Sequence, residues 1–276
     1  MLSGMRDWKD KVVLVTGGSR GLGRAIAEEF AAAGAKLALV ALEPETVEKT
    51  AAEMRTRGVE VLGLAADITR PEDVDRAFAR TLERFGRLDV LVNNAGRSDR
   101  GNAYETPPEK FREWMELNFI ALVRCTQVAL PHLLKQRGHV VNIGSLAAKA
   151  AARWVGAYPA TKFAMAAFSQ QLRLELGPQG LHVLLVCPGP IQRQDNRQHC
   201  FEGLQDLPPR ALRPGAGIKT QAIPTQKVAR AILRACRRRQ PELLLPSHAR
   251  WYFAVMQLCP RLGDWLVLRK TGGNEG

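Results

Sequence analysis

Six short runs of nearly continuous apolar residues mark the first 190 positions of the chain, and they restrict its possible folds more than any other feature. They are Val12–Thr16, Lys36–Ala41, Val59–Ala65, Leu88–Asn93, His139–Ile143 and Leu181–Cys187. A strand with one face in water alternates apolar and polar residues, so a run that is apolar throughout belongs to a strand covered on both faces. The covering elements lie between the runs: Arg24–Ala33, Pro44–Arg57, Pro71–Phe85, Pro108–Arg137 and Tyr158–Leu176 carry helical spacing. Strands and helices in alternation connect by right-handed crossovers, which predicts an α/β fold built on a doubly wound parallel sheet. In such a sheet ligands gather beyond the carboxyl ends of the strands, where the strand order reverses.

Beyond Pro188 the texture changes. Residues 190–225 are rich in Pro, Gly, Gln and Arg, and a long segment of this kind inside a compact domain usually covers a binding site, so it reads as a substrate-side lid. Thr225–Arg239 resumes helical spacing, and Glu242–Leu245 reads as a last short strand. His248–Lys270 is helical again, with breaks near Pro260 and Gly263. The organisation expected is a single domain over residues 8–247 followed by a helical C-terminal tail over 248–276.

Composition excludes several classes. With 46% apolar and 24% charged residues, the chain can bury a large core and does not resemble a disordered protein. Its five cysteines, Cys125, Cys187, Cys200, Cys236 and Cys259, contain no CxxC pair, so neither a disulfide framework nor a metal site is expected. The segment Met1–Asp10 lacks the apolar core of a secretory signal, and no stretch reaches ~18 uninterrupted apolar residues, so a soluble or peripheral cytoplasmic protein is expected. An excess of 40 Lys and Arg over 27 Asp and Glu gives a net charge of +13, which attracts anions in general. No aromatic-interleaved basic stripe or recognition module accompanies that charge, so it reads as a solvated arginine-rich surface, with no nucleic-acid partner expected.

Two clusters carry chemistry. The first strand runs into Thr16-Gly17-Gly18-Ser19-Arg20-Gly21-Leu22-Gly23, and an alanine-rich helix follows. Glycines there let the backbone turn sharply against a pyrophosphate while the helix N-terminus offers unpaired N–H groups and partial positive charge. The second cluster is Tyr158-Pro159-Ala160-Thr161-Lys162, a phenol and an ammonium one helical turn apart on the same face. That spacing lets the cation draw the phenol down from its ordinary pKa of ~10, and such a phenol can deliver a proton to a carbonyl oxygen as hydride reaches the carbon. Ser145 lies just past the fifth strand, where its hydroxyl can polarise the same carbonyl, and Asn118 sits in the preceding long helix.

The glycine spacing resembles that of the short-chain dehydrogenase/reductase family, and so do Asn93-Asn94-Ala95-Gly96 after the fourth strand, Asp67-Ile68-Thr69 after the third and Pro188-Gly189 after the sixth. The resemblance covers residues 8–190 continuously and reaches less distinctly to about 245. It implies a Rossmann-type fold and a nicotinamide cofactor contacted by Gly17, Ser19, Arg20, Gly21, Leu22, Gly23, Asp67, Ile68, Asn94, Ala95, Gly96, Pro188, Gly189 and Ile191. It also implies roles for the tetrad: Tyr158 as general acid/base, Lys162 tuning it and binding the nicotinamide ribose, Ser145 orienting the substrate oxygen, and Asn118 holding a water of the proton relay. A homo-oligomer is implied as well.

Where NAD-dependent relatives carry an acid at the end of the second strand, this chain has Ala41 and Leu42, with Glu43 just beyond. Arg20 lies inside the glycine loop, where a basic residue in similar enzymes faces the 2′-phosphate, so the resemblance implies NADP ahead of NAD. After Pro188-Gly189 the family usually has a Thr where this chain has Arg193. Aromatic residues Trp251, Tyr252, Phe253 and Trp265 beside Arg250, Arg261, Arg269 and Lys270 suit either a membrane interface or packing on the domain or on a subunit partner. The expected activity is hydride transfer between a nicotinamide and a small-molecule carbonyl or secondary alcohol, lipid- or steroid-like if the tail is interfacial; the alternatives are a catalytically silent NADPH-binding scaffold and a membrane-surface adaptor.

Overall fold

The computed structural model describes residues 8–98, 100–192, 207–212 and 221–270. Seven parallel strands form one sheet: β1 (Val12–Thr16), β2 (Lys36–Ala41), β3 (Val61–Ala65), β4 (Val90–Asn93), β5 (His139–Ile143), β6 (His182–Pro188) and β7 (Glu242–Leu245). Their spatial order is β3-β2-β1-β4-β5-β6-β7, so the order reverses between β1 and β4. Every residue of β1 and β6 is buried, as expected for strands covered on both faces.

The covering helices are α1 (Gly21–Ala32), α2 (Pro44–Arg55), α3 (Pro71–Phe85), α4 (Pro108–Met115), α5 (Ala121–Lys135), α6 (Tyr158–Leu176) and α7 (Thr225–Arg237). One core layer joins Val13, Val15, Leu37 and Leu39 to Ile26 and Phe30 of α1, Met54 of α2 and Ile232 of α7. The opposite layer joins Val12, Leu14, Leu91 and Val140 to Phe78 of α3, Ala129 and Leu133 of α5 and Leu172 of α6. Neighbouring positions of a strand feed opposite layers, which is why the strand sequences show no alternation.

Several boundaries differ from the sequence expectation, each for a local reason. β3 starts at Val61 rather than Val59, because Gly58 (φ +80°) and Val59 complete the turn out of α2, with the Val59 N–H on the Met54 carbonyl. β4 begins at Val90 rather than Leu88, and β6 runs His182–Pro188 rather than Leu181–Cys187. Helix α1 begins at Gly21 rather than Arg24, placing the glycine loop directly on its first turn.

The long helix expected over Pro108–Arg137 is interrupted by a π-turn at Glu116–Ile120, and Asn118 lies within it. This run is long and apolar enough to cross a membrane by length and composition alone; here its α5 part packs against α3, β4 and β5, and its α4 part and π-turn against α6.

The tail forms α8 (Ala249–Leu258) and α9 (Pro260–Lys270), broken only at Cys259, just before Pro260. Gly263 does not break α9; α8 passes close by it, since a Cβ there would lie 2.9 Å from the Cα of Met256. Most of the expected lid falls outside the described residues, as does Arg193. Its described parts are anchored: Gln192 donates its N–H to the Ile223 carbonyl (2.9 Å), and Leu207 and Ala211 pack on Trp154.

Candidate active site

The carboxyl ends of β1 and β4 are stitched together at the switch point. Thr16 Oγ1 accepts the N–H groups of Asn94 (3.0 Å) and Ala95 (3.1 Å), and Asn94 Nδ2 donates to the carbonyls of Thr16 (3.0 Å) and Gly17 (3.2 Å). The fit leaves no room for side chains: Gly17 has φ +63°, and a Cβ on Gly23 would collide with the Gly17 carbonyl and Asn94 Nδ2. Ser19 is held by Thr50, whose hydroxyl donates to the Ser19 carbonyl at 2.8 Å. The N-terminus of α1 has no capping side-chain hydrogen bond and no acidic residue in its first turn, so its N–H groups and dipole face the loop. A glycine cradle at an uncapped helix N-terminus fits the pyrophosphate of a dinucleotide.

Arg20 and Glu43 reach across the mouth of this site and pair at 2.9 Å, both partly exposed. Asp67 sits at the end of β3, its Oδ1 accepting the Thr69 N–H (2.9 Å) and hydroxyl (2.7 Å). Pro188 pairs with Leu245 on β7, the Gly189 N–H donates to the Leu245 carbonyl (2.7 Å), and Ile191 bridges to Ile223, fixing the turn beyond β6.

On the chemical side, α6 begins at Tyr158 and carries Lys162 one turn on. Lys162 is buried; its Nζ donates to the Ile143 carbonyl at 2.8 Å and lies 5.6 Å from the centre of the Tyr158 ring. Burial lowers its pKa to about 8. Ser145 caps the short turn Leu146–Ala148, its Oγ accepting the Ala147 N–H at 3.1 Å.

The Asn118 side chain is engaged by its own chain. Its Oδ1 accepts the Arg97 N–H (2.9 Å), and its Nδ2 donates to the Arg97 carbonyl (3.0 Å) and to Thr161 Oγ1 (3.3 Å). Both amide hydrogens are therefore committed to bracing the segment after β4 against α6, and the residue stands behind the cavity wall rather than on it.

One cavity of about 1230 Å³ gathers the rest. Gly17, Ser19, Arg20, Gly21, Leu22, Asp67, Ile68, Asn94, Ala95, Gly96, Pro188, Gly189 and Ile191 line it together with Ser145, Tyr158 and Lys162. Gly23 does not line it; it lies behind the loop, where a Cβ would collide with the Gly17 carbonyl. The sequence reading missed Thr16 and Thr161 as braces, although a Thr opening the glycine motif and one inside Tyr158–Lys162 were visible. It also missed the tail's share of the wall, Tyr252, Phe253 and Val267, because nothing in their spacing points back to the sheet.

At the opposite end of the sheet lies a largely buried group that no CxxC spacing marks. Ring nitrogens of His139 and His182 and the thiol of Cys236 lie within 4.8 Å of one another. The two Nδ1 atoms are 2.8 Å apart, and His182 Nε2 meets the Gln240 carbonyl at 2.8 Å. A carbonyl only accepts, so His182 carries its proton on Nε2 and receives that of His139 on Nδ1.

The short chain dehydrogenase family model matches residues 11–203. The 11-beta-hydroxysteroid dehydrogenase A of Sesamum indicum is 30% identical over 262 residues, covering 94% of this chain and 75% of that protein. The L-fucose dehydrogenase of Bos taurus is 39% identical over 182 residues, 66% of each chain. A short chain dehydrogenase/reductase from Burkholderia phymatum, solved in complex with NAD, superposes with a TM-score of 0.81 over 93% of this chain and 96% of its own, at 23% identity, which speaks for the fold. With the strand order, the glycine cradle and the Ser145-Tyr158-Lys162 wall agreeing with a match over most of its length, the chain belongs to the short-chain dehydrogenase family of nicotinamide-dependent oxidoreductases.

Proposed function

We propose that the protein is an NADP-dependent oxidoreductase that interconverts a carbonyl and a secondary alcohol on an apolar, lipid- or steroid-like substrate. The observation that carries this reading is the large cavity, which brings the glycine cradle and the phenol, ammonium and hydroxyl groups to one surface and continues along Leu117, Leu146, Ala150, Val155, Tyr252 and Phe253, with Arg97, Arg100 and His248 also on its wall. Apolar lining with a few convergent polar groups is the usual form of a small-molecule site.

The bound nicotinamide supplies or takes the hydride. The chain does the rest. With its lone pair engaged by the Ala147 N–H, the Ser145 hydroxyl donates its hydrogen to the substrate oxygen. Tyr158 gives its phenolic proton to that oxygen in reduction and takes it back in oxidation. The Lys162 ammonium, fixed by the Ile143 carbonyl, stabilises the phenolate left behind. Asn118 positions the segment after β4 through Arg97 and the start of α6 through Thr161.

Arg20 supports the choice of NADP. Its pair with Glu43 is partly exposed and so worth ~0–1 kcal/mol, weak enough for a 2′-phosphate with nearly two charges to displace the carboxylate. Free thiols at Cys125, Cys187, Cys236 and Cys259 accord with a reducing, cytoplasmic location. A homo-oligomer belongs to the same proposal and is read by light scattering.

The test is a panel of ketones, aldehydes and secondary alcohols graded from sugar to steroid, followed by nicotinamide absorbance with both cofactors. Turnover that rises with substrate hydrophobicity and runs faster with NADPH is expected. Tight NADPH binding without turnover anywhere on the panel would leave the silent scaffold as the better reading.

A further inference from the structure

We infer that α8 and α9 form a docking face for the surface of an anionic lipid bilayer. Helix α8 is apolar on two sides. Ala249 and Phe253 are buried with Leu244, Cys187 and Met165, which accounts for one side. On the other, Trp251, Val255 and Leu258 follow at intervals of four and three residues, a single stripe, and Trp251 and Leu258 are 75% and 86% exposed. Helix α9 repeats the pattern: Leu262, Trp265 and Leu268 follow every three residues, all exposed, with Trp265 at 50%. Among the described residues the buried core takes in the inward stripe of α8, and an exposed apolar surface of this kind marks an interaction site.

Charge selects the occupant. The two helices carry Arg250, Arg261, Arg269 and Lys270 against a single acid, Asp264. The three arginines are exposed, and Arg269 stacks over the Trp265 ring at 5.2 Å. Indole rings beside guanidinium groups suit the headgroup region of a bilayer, where the apolar body and the cation are both accommodated. A second copy docked face to face would set the same cations against one another, whereas an anionic bilayer neutralises them, and the net charge of +13 acts in the same direction. The inner sides of the same helices, through Tyr252, Phe253 and Val267, wall the catalytic cavity, so the docked surface adjoins the cavity mouth. The docking stands whether or not the chain turns over a lipid-like substrate.

The experiment is flotation of the full-length protein with vesicles of phosphatidylcholine alone and of phosphatidylcholine with phosphatidylserine, across a salt series. Two variants accompany it, Trp251→Ser/Leu258→Ser/Trp265→Ser and Arg250→Gln/Arg261→Gln/Arg269→Gln, with thermal melts to check folding; all six side chains lie outside the cavity lining. Binding to anionic vesicles that weakens with salt is expected, and the triple arginine variant loses about fivefold per charge, or ~100-fold in all. The apolar variant loses binding while keeping its melting temperature. Protein that stays soluble on anionic vesicles at low salt, or that binds both vesicle types equally, overturns the inference. Loss of a dimer on sedimentation of the apolar variant overturns it too, and assigns the face to a second copy. None of these readings depends on turnover, so a failed substrate panel leaves the result intact.

Discussion

Arg20 and Glu43 show what a sequence can and cannot say about a single residue. Each could be picked out by its place, one in the glycine loop and one just past β2, and the sequence treats them as rivals for the adenosine end of the cofactor. Only the fold makes them partners, because 23 positions of chain separate two side chains that pair at 2.9 Å. If NADP is the cofactor, as proposed, such a pair serves as a latch: the carboxylate holds the guanidinium until a 2′-phosphate displaces it. NADPH is therefore expected to bind more tightly than NADH, and Arg20→Ala to remove most of that difference, ~10–100-fold for a charge-assisted contact. Glu43→Gln is expected to widen it by removing the competitor. Calorimetric titration of both cofactors checks the set; an NADH preference in the unmutated protein would assign selection to Glu43. Asn118 is the complementary case, legible as a polar residue of the tetrad, while the partners of its side chain, Arg97 and Thr161, are named by no spacing.

At the scale of the element, the strands were legible because burial on both faces leaves an unbroken apolar run, and the glycine loop because close approach excludes every side chain. The π-turn was not, since a helix carrying one extra residue keeps its apolar spacing on either side, and Glu116–Ile120 contains no Pro or Gly to mark it. Nor was the pairing of β5 with β6, which puts His139 opposite His182 at the amino ends of the strands.

That pairing has a consequence for stability. Burial, reinforced by His182, lowers the His139 pKa to about 3, and burial lowers that of His182 to about 4. Both are therefore neutral in the folded chain, while unfolded imidazoles take up protons near pH ~6.5. The unfolded state then binds more protons below that value, so the stability these groups allow is complete above pH ~6.5 and is lost as pH falls towards 4. Once both unfolded imidazoles are charged the slope approaches ~2.7 kcal/mol per pH unit. Urea unfolding at pH 7, 6 and 5 measures it, and His139→Gln/His182→Gln is expected to flatten the curve; an unchanged slope in that variant would remove the pair from the account.

At the scale of the whole molecule, the alternation of strand and helix was enough to predict the sheet and to place its ligand site at the reversal of strand order, and the structure puts the cavity there. The tail was legible only as an aromatic and basic helical segment, because a helix that is apolar on two sides reads the same whichever side the protein covers. The structure divides it, with Phe253 inward to the core and Trp251 outward. What unites cradle, cavity and tail is the claim that this chain moves a hydride with Tyr158 as the proton donor, and the most direct test is Tyr158→Phe on a substrate found by the panel. The phenylalanine keeps the ring and removes only the transferable proton, so NADPH affinity is expected to stay within about twofold while kcat falls by ~10²–10⁴-fold. A loss smaller than tenfold, with cofactor binding intact, would contradict the assignment of Tyr158 and with it the mechanism.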